Sequence, residues 1–198
     1  MPEASQWQKI IEADPSHSHR YRQRWIDMAA QGRDLWGEAR LIDAMAERGS
    51  RILDAGCGTG RIGGWLHDRG HQVVGVDLDP VLIDAARTDH PEGDWRVGDL
   101  AELEPDESGF DLIVSAGNVM TFLAESTRAD VVARLAANLR PGARMVIGFG
   151  AGRGYPFDDF LRHLTQAGLD IDACFSSWDL RPFGDASDFV VAIASRPA

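Results

Sequence analysis

Arg51-Ile-Leu-Asp-Ala-Gly-Cys-Gly-Thr-Gly60, followed by a second apolar run that ends in Val76-Asp77-Leu-Asp79-Pro80, decides the fold of this chain. An apolar strand breaks into three alternating glycines and then a helix. That arrangement sets bare backbone at a helix N-terminus, where unpaired N–H groups collect and a ligand can approach closely.

Working outward, short apolar runs alternate with helical patterns, the signature of a parallel sheet with crossover helices. The runs Arg51 to Asp54, Gln72 to Asp77, Trp95 to Gly98, Phe110 to Ser115 and Ala143 to Phe149 read as strands. Asp79-Pro80 starts a helix over Val81 to Arg87, with Asp as N-cap and Pro in the first turn. Another helix lies between Ser126 and Asn138, and Pro141-Gly142 is read as its stop. Beyond Gly150 one helix, Pro156 to Ala167, precedes strands near Ile171 to Trp178 and Ser187 to Ser195, joined around Pro182-Phe-Gly-Asp185 as an antiparallel hairpin. Ahead of the sheet, residues 1–16 read as a loose polar start, and helices follow over roughly Ser18 to Ala30 and Asp34 to Glu47. The expected fold class is α/β: a Rossmann-like, seven-stranded, mostly parallel sheet with a terminal antiparallel hairpin, helices on both faces and an N-terminal helical cap.

The 198 residues are 44% hydrophobic, enough for one domain with a sizeable core; residues 1–49 would form the cap and 50–198 the core. A net charge of −11 opposes non-specific binding to nucleic acid or an anionic membrane, which favours a small-molecule partner or a local site on a protein. Cys57 and Cys174 belong to no cluster of metal-ligand spacing. No basic leader or membrane-length apolar run is present, so a soluble, cytoplasmic protein is expected, either monomer or homodimer. Lys9 is the only lysine, which removes the phosphate-loop lysine and a buried Schiff-base lysine from the available mechanisms.

Glycine-rich strand-to-helix turns serve several ligands. Gly58-Thr-Gly60-Arg-Ile-Gly63 satisfies the dinucleotide pattern G-x-G-x-x-G, so a nicotinamide-dependent oxidoreductase is one reading. Asp54 argues against it, because a carboxylate at the mouth of the turn repels a diphosphate and attracts an ammonium group. S-adenosylmethionine is a ligand of that kind. Asp77, at the end of the second strand, can accept from both ribose hydroxyls, and Asp99, at the end of the third, can accept from an adenine amine. The fourth strand ends in the small residues Ser115-Ala-Gly before Asn118, so several strand ends converge on one crevice.

With these residues in view, the chain resembles the class I S-adenosylmethionine-dependent methyltransferases, particularly the small-molecule kind, over roughly Arg51 to Phe149. The resemblance implies that Asp54, Gly56, Gly58 and Gly60 surround the methionine end of the cofactor. It also implies that Asp77 and Leu78 meet ribose and adenine, Asp99 and Leu100 meet adenine, and Ala116 gives a backbone contact after strand four. The demethylated product would be S-adenosylhomocysteine. Asn118-Val-Met120 replaces the [DNS]-P-P-[YFW] motif used for amide and base nitrogens, which lowers the odds of that chemistry.

No insertion after strand five is long enough for a substrate domain, so the N-terminal helices and the loop from Gly150 to Tyr155 are expected to cover the site. His19, Tyr21, Asn118, Arg153 and Tyr155 border the crevice in topology and are the candidates to face a methyl acceptor. Methyl transfer from a sulfonium needs alignment more than a dedicated base. A domain that binds the same cofactor without turnover is the third reading, and no metal site is expected.

Overall fold

Strands covered on both faces read as near-continuous apolar runs, because a parallel sheet exposes neither face to water. The computed structural model, which describes residues 3–198, has seven: β1 (Arg51–Ala55), β2 (Gln72–Asp77), β3 (Asp94–Val97), β4 (Phe110–Ser115), β5 (Leu139–Gly150), β6 (Asp170–Phe175) and β7 (Phe189–Ser195). Three helices precede the sheet: α1 (Gln6–Ala13), α2 (His17–Ala30) and α3 (Gly37–Met45). Five more connect its strands: α4 (Arg61–His67), α5 (Pro80–Asp89), α6 (Val119–Phe122), α7 (Arg128–Ala137) and α8 (Phe157–Gln166).

The strand order is β3-β2-β1-β4-β5-β7-β6. Pairing is parallel from β3 to β5, and β7 runs antiparallel to both β5 and β6. The predicted seven-stranded α/β architecture with its terminal hairpin is therefore present. The chain leaves β1 toward β2 on one side and returns to β4 on the other. That reversal opens a crevice beyond the carboxyl ends of β1 and β4.

Each sheet face has its own core. Leu53, Ile113, Met145 and Phe149 pack against Val131 and Leu135 of α7 and Phe160 and Leu164 of α8. On the opposite face, Ile52, Leu112 and Val146 meet Ala39 and Ile42 of α3 and Ile62 and Leu66 of α4. Each fully buried aliphatic or aromatic side chain contributes about 1.5–3 kcal/mol. Trp95 fills a slot between β2 and α4 that glycines keep open: a Cβ on Gly75 would stand 2.3 Å from its ring, and one on Gly63 2.8 Å.

Two local expectations are corrected. The start of the chain is not loose: Ser5 and Gln8 form a reciprocal capping box, Ser5 N–H donating to Gln8 Oε1 at 2.6 Å and Gln8 N–H to Ser5 Oγ at 3.1 Å, and α1 follows. Residues 1 and 2 of that stretch lie outside the described residues. Pro141-Gly142 does not stop the helix either. α7 has already ended at Ala137, and β5 begins at Leu139, absorbing the pair in a register slip opposite Phe110 and Leu112, with Gly142 at φ 77°. Among the described residues no helix is long and apolar enough to cross a membrane.

Candidate functional site

The turn after β1 is fixed by its neighbours. Gly56 and Cys57 N–H both donate to the Val76 carbonyl, at 2.8 and 3.1 Å, which docks the turn on β2. Gly56 has φ 81°, and a Cβ there would lie 2.3 Å from Val119 Cγ2, so only glycine fits. Gly58 (φ 55°) turns its N–H onto Asp77 Oδ2 at 2.8 Å. Gly60, in the left-handed region at φ 75°, heads α4 and packs on Trp95 and Ala86.

Asp54 is 2% exposed and accepts the Gly63 N–H at 2.9 Å. Gly60 has no side chain with which to cap α4, and Asp54 supplies the missing acceptor from β1. Burial raises its carboxyl to about 7, while the Gly63 N–H and the Arg61 guanidinium pull the other way. Asp77 is likewise pushed up to about 6 by burial, opposed by the N–H groups of Asp79 and Gly58. Its second oxygen accepts Asp79 N–H at 2.9 Å. Asp99 caps a short 3-10 turn over Leu100–Glu102 by accepting Ala101 N–H at 2.9 Å. After β4, Gly117 and Asn118 both have positive φ, and Asn118 Oδ1 accepts Gly150 N–H at 2.8 Å, tying the end of β4 to that of β5.

These strand ends converge on one open cavity. Seven of the nine cofactor residues named from the sequence line it: Gly56, Gly58, Asp77, Leu78, Asp99, Leu100 and Ala116. Asp54 lies instead in a narrower adjoining recess, with Thr59 and Arg61. Tyr21, Gly56, Ala116 and Gly117 line both spaces, so the recess is an arm of the cavity. Gly60 lines neither; its place is against Trp95.

The acceptor candidates divide. Tyr21 covers the glycine turn: its ring lies 3.6 Å from where a Gly58 Cβ would stand, and its hydroxyl 3.9 Å from that of Gly117. Burial raises its phenol above the ordinary value, so the hydroxyl stays protonated and can donate. Asn118 serves the backbone beside the cavity. His19 and Arg153 are exposed and line neither space. Tyr155 points away into the core, 2% exposed, stacked on Phe149, with its hydroxyl 2.6 Å from His163 Nδ1. Phe149 and Phe160 draw that ring inward, residues 151–154 are exposed, and none of the loop from Gly150 to Tyr155 lines the cavity. The cover comes from the N-terminal segment. Ser5, Trp7 and Phe122, which sequence reasoning missed, line the cavity with Tyr21, and the Ser5-x-x-Gln8 capping box was the signal that could have found the helix carrying Trp7.

Acids at the ends of β2 and β3, above a glycine turn at the sheet's reversal point, define a nucleoside-binding α/β protein. A family profile described as a methyltransferase domain matches residues 52–142. The crystal structure of a TehB-like SAM-dependent methyltransferase from Corynebacterium glutamicum is 56% identical, superposes with a TM-score of 0.89, and is matched over 92% of this chain and 100% of that one. The chain belongs to the class I S-adenosylmethionine-dependent methyltransferases. Among curated relatives, the mouse 18S rRNA (guanine-N(7))-methyltransferase is 36% identical over 61% of this chain and 46% of its own length. The magnesium-protoporphyrin O-methyltransferase of Rhodobacter capsulatus is 33% identical over 64% and 61%. The chain thus spans less than two thirds of the length of these curated relatives.

Proposed function

We propose that this protein methylates a small organic acceptor at the expense of S-adenosylmethionine, and that the cavity between β1, β2, β3 and β4 holds that cofactor. One observation carries the reading: Asp77 and Asp99 present carboxylates to a single cavity whose third wall is the Gly56–Gly58 turn. Bound there, S-adenosylmethionine would supply a methyl carbon on a cationic sulfur, open to in-line attack by an acceptor's lone pair with the C–S electrons passing to the sulfur of S-adenosylhomocysteine.

The chain's own residues bind, orient and exclude water. Asp77 suits two ribose hydroxyls because each of its oxygens, though held by one backbone N–H, keeps a lone pair free. Asp99 has one oxygen engaged with Ala101 N–H, and the other is available to an exocyclic amine. Asp54, in the narrow arm, complements an ammonium group; a cation beside it favours the ionised form that burial disfavours. Tyr21, Trp7 and Phe122 close the cavity from above and keep water from the transferring group. Tyr21, protonated and shared by both spaces, is the residue best placed to position an acceptor, with Asn118 bracing β4 against β5 beside it.

Two features support a small acceptor: the net charge of −11 and a cover made only of short helices. The unpaired Cys57 and Cys174 accord with a reducing, cytoplasmic setting. The similarity to an rRNA methyltransferase supports a second reading, in which the acceptor is a nucleic-acid base.

Calorimetry with S-adenosylhomocysteine and with NADH on one preparation tests the cofactor, and methyl transfer to a panel of hydroxyl, amine, thiol and carboxylate compounds beside an rRNA fragment tests the acceptor. Binding of the nucleoside product and turnover of a small compound are expected. NADH binding in its place would contradict the cofactor assignment, turnover of RNA alone the acceptor class, and product binding without any turnover would favour a cofactor-binding domain.

A further inference from the structure

Each of the two leading helices buries a single side chain, Trp7 in α1 and Ser18 in α2. Both donate to the same atom. Trp7 Nε1 reaches Asp79 Oδ2 at 2.9 Å, and the Ser18 hydroxyl bonds to that oxygen too. The other oxygen of Asp79 accepts Val81 N–H at 2.9 Å and Leu82 N–H at 3.4 Å, the orphan donors of α5. Asp79 is 1% exposed, and its own N–H is held by Asp77. Two further polar ties of this segment to the core, Glu3 to Ser126 and Arg22 to Asp89, lie at the surface, where such contacts contribute little; the Arg61 guanidinium of α4 also stacks over the Trp25 ring at 4.4 Å.

We propose that α1 and α2 form a lid over the cavity and that Asp79 is its latch, a positioning residue that holds Trp7 and Tyr21 down over the bound nucleoside. The proposal rests on the reading of this cavity as an adenosyl site. Trp7 and Tyr21 both line the cavity and touch edge to face, with ring centroids 5.5 Å apart. Trp7 also meets Phe122 of α6, with ring centroids 5.2 Å apart. The chemistry of the latch suits repeated opening. A carboxylate, an indole N–H and a hydroxyl all regain hydrogen bonds from water when the helices lift, so opening forfeits only the small net worth of those bonds together with the apolar area exposed. The α5 cap is untouched by this movement, because it uses the opposite oxygen.

Asp79→Asn separates the two roles. Asn caps a helix about as well as Asp, but its NH₂ group, turned toward Trp7, meets a donor with a donor. Trp7→Phe removes the indole donor and keeps an aromatic ring. Hydrogen exchange on the free protein reads the latch, and the rate of S-adenosylhomocysteine release from its complex reads the lid.

In both variants amide exchange should accelerate across residues 6–30 while β1, β4 and β5 stay protected, and release should become about tenfold faster, the scale of a lost hydrogen bond to a charged group. Unchanged exchange across residues 6–30, or loss of protection throughout the sheet, would overturn the latch. Faster local exchange with unchanged release would overturn the lid. If the wild-type protein binds no S-adenosylhomocysteine, the adenosyl reading falls and the lid with it, and the exchange measurement still decides the latch.

Discussion

The Asp77 carboxylate accepts the Gly58 N–H at 2.8 Å, so the acid at the end of β2 and the glycine turn after β1 form one rigid cradle. The contact crosses the sheet between neighbouring strands, and the same carboxylate faces the cavity. Neither residue can move without the other, which makes the ionisation of Asp77 a property of the whole site.

That coupling predicts how cofactor affinity varies with pH. Asp77 is raised to about 6 by burial, and two ribose hydroxyls require an acceptor-only carboxylate. The Asp77 component of affinity for S-adenosylhomocysteine should therefore weaken as pH falls, by about tenfold for each unit below about 6. Asp77→Asn should bind more weakly at neutral pH and lose this component. Calorimetry between pH 5 and 8 on both proteins checks it, and parallel profiles would refute the role of Asp77.

Asp54 bears on stability with its own sign. Its folded-state value of about 7 exceeds the unfolded value of about 3.9. Its contribution is thus fully present below about pH 4 and is lost as pH rises through about 7. In Asp54→Asn the amide oxygen still accepts the Gly63 N–H and no charge is buried. The ligand-free variant should melt roughly 2–6 °C above wild type at pH 8 and show no advantage at pH 4, as measured by calorimetric melting.

Gly56→Ala combines a left-handed backbone with a Cβ placed 2.3 Å from Val119 Cγ2. The backbone penalty is about 1–2 kcal/mol, and the overlap adds about 1–3 kcal/mol. Gly58→Ala carries only the first, since its nearest contact is the Tyr21 ring at 3.6 Å. Denaturant melts should rank Gly56→Ala below Gly58→Ala, and adding Val119→Ala should recover stability in the former alone. Equal costs would show that Val119 does not press on the turn.

Tyr155→Phe removes the hydroxyl 2.6 Å from His163 and leaves the stacked ring. Stability should fall by about 1 kcal/mol, while cofactor affinity and turnover stay at wild-type values. A drop in turnover at unchanged affinity would return Tyr155 to the acceptor site.

The sheet was legible because each central strand is a β-branched or aliphatic run bounded by Gly, Pro or Asp. Gln72–Asp77 and Phe110–Ser115 match their expected limits residue for residue. β5 was read four residues late, because Pro141 was taken as a helix stop and a bulge can carry a proline into a strand. Asp77, Asp99, Gly56 and Gly58 were legible from chain order, since strand ends at a reversal point share one crevice; Gly60 was placed with them and packs on Trp95 instead.

What lay hidden depends on long-range packing. Nothing local tells that Tyr155 turns in toward Phe149 and Phe160, that Asp54 must cap α4 for want of a side chain at Gly60, or that Trp7 and Asp79, seventy-two residues apart, meet. α1 escaped notice for a nearer reason: the polar composition of residues 1–16 and the Asp14-Pro15 pair masked both a capping box and the one-turn spacing of Trp7, Ile10 and Ile11.

The crystal structure of the protein with S-adenosylhomocysteine tests the central claim most directly. Both ribose hydroxyls should lie within about 3 Å of the Asp77 carboxylate, with the adenine beside Asp99 and the amino group in the arm beside Asp54. A nucleoside bound elsewhere, or a ribose turned away from Asp77, would contradict the account.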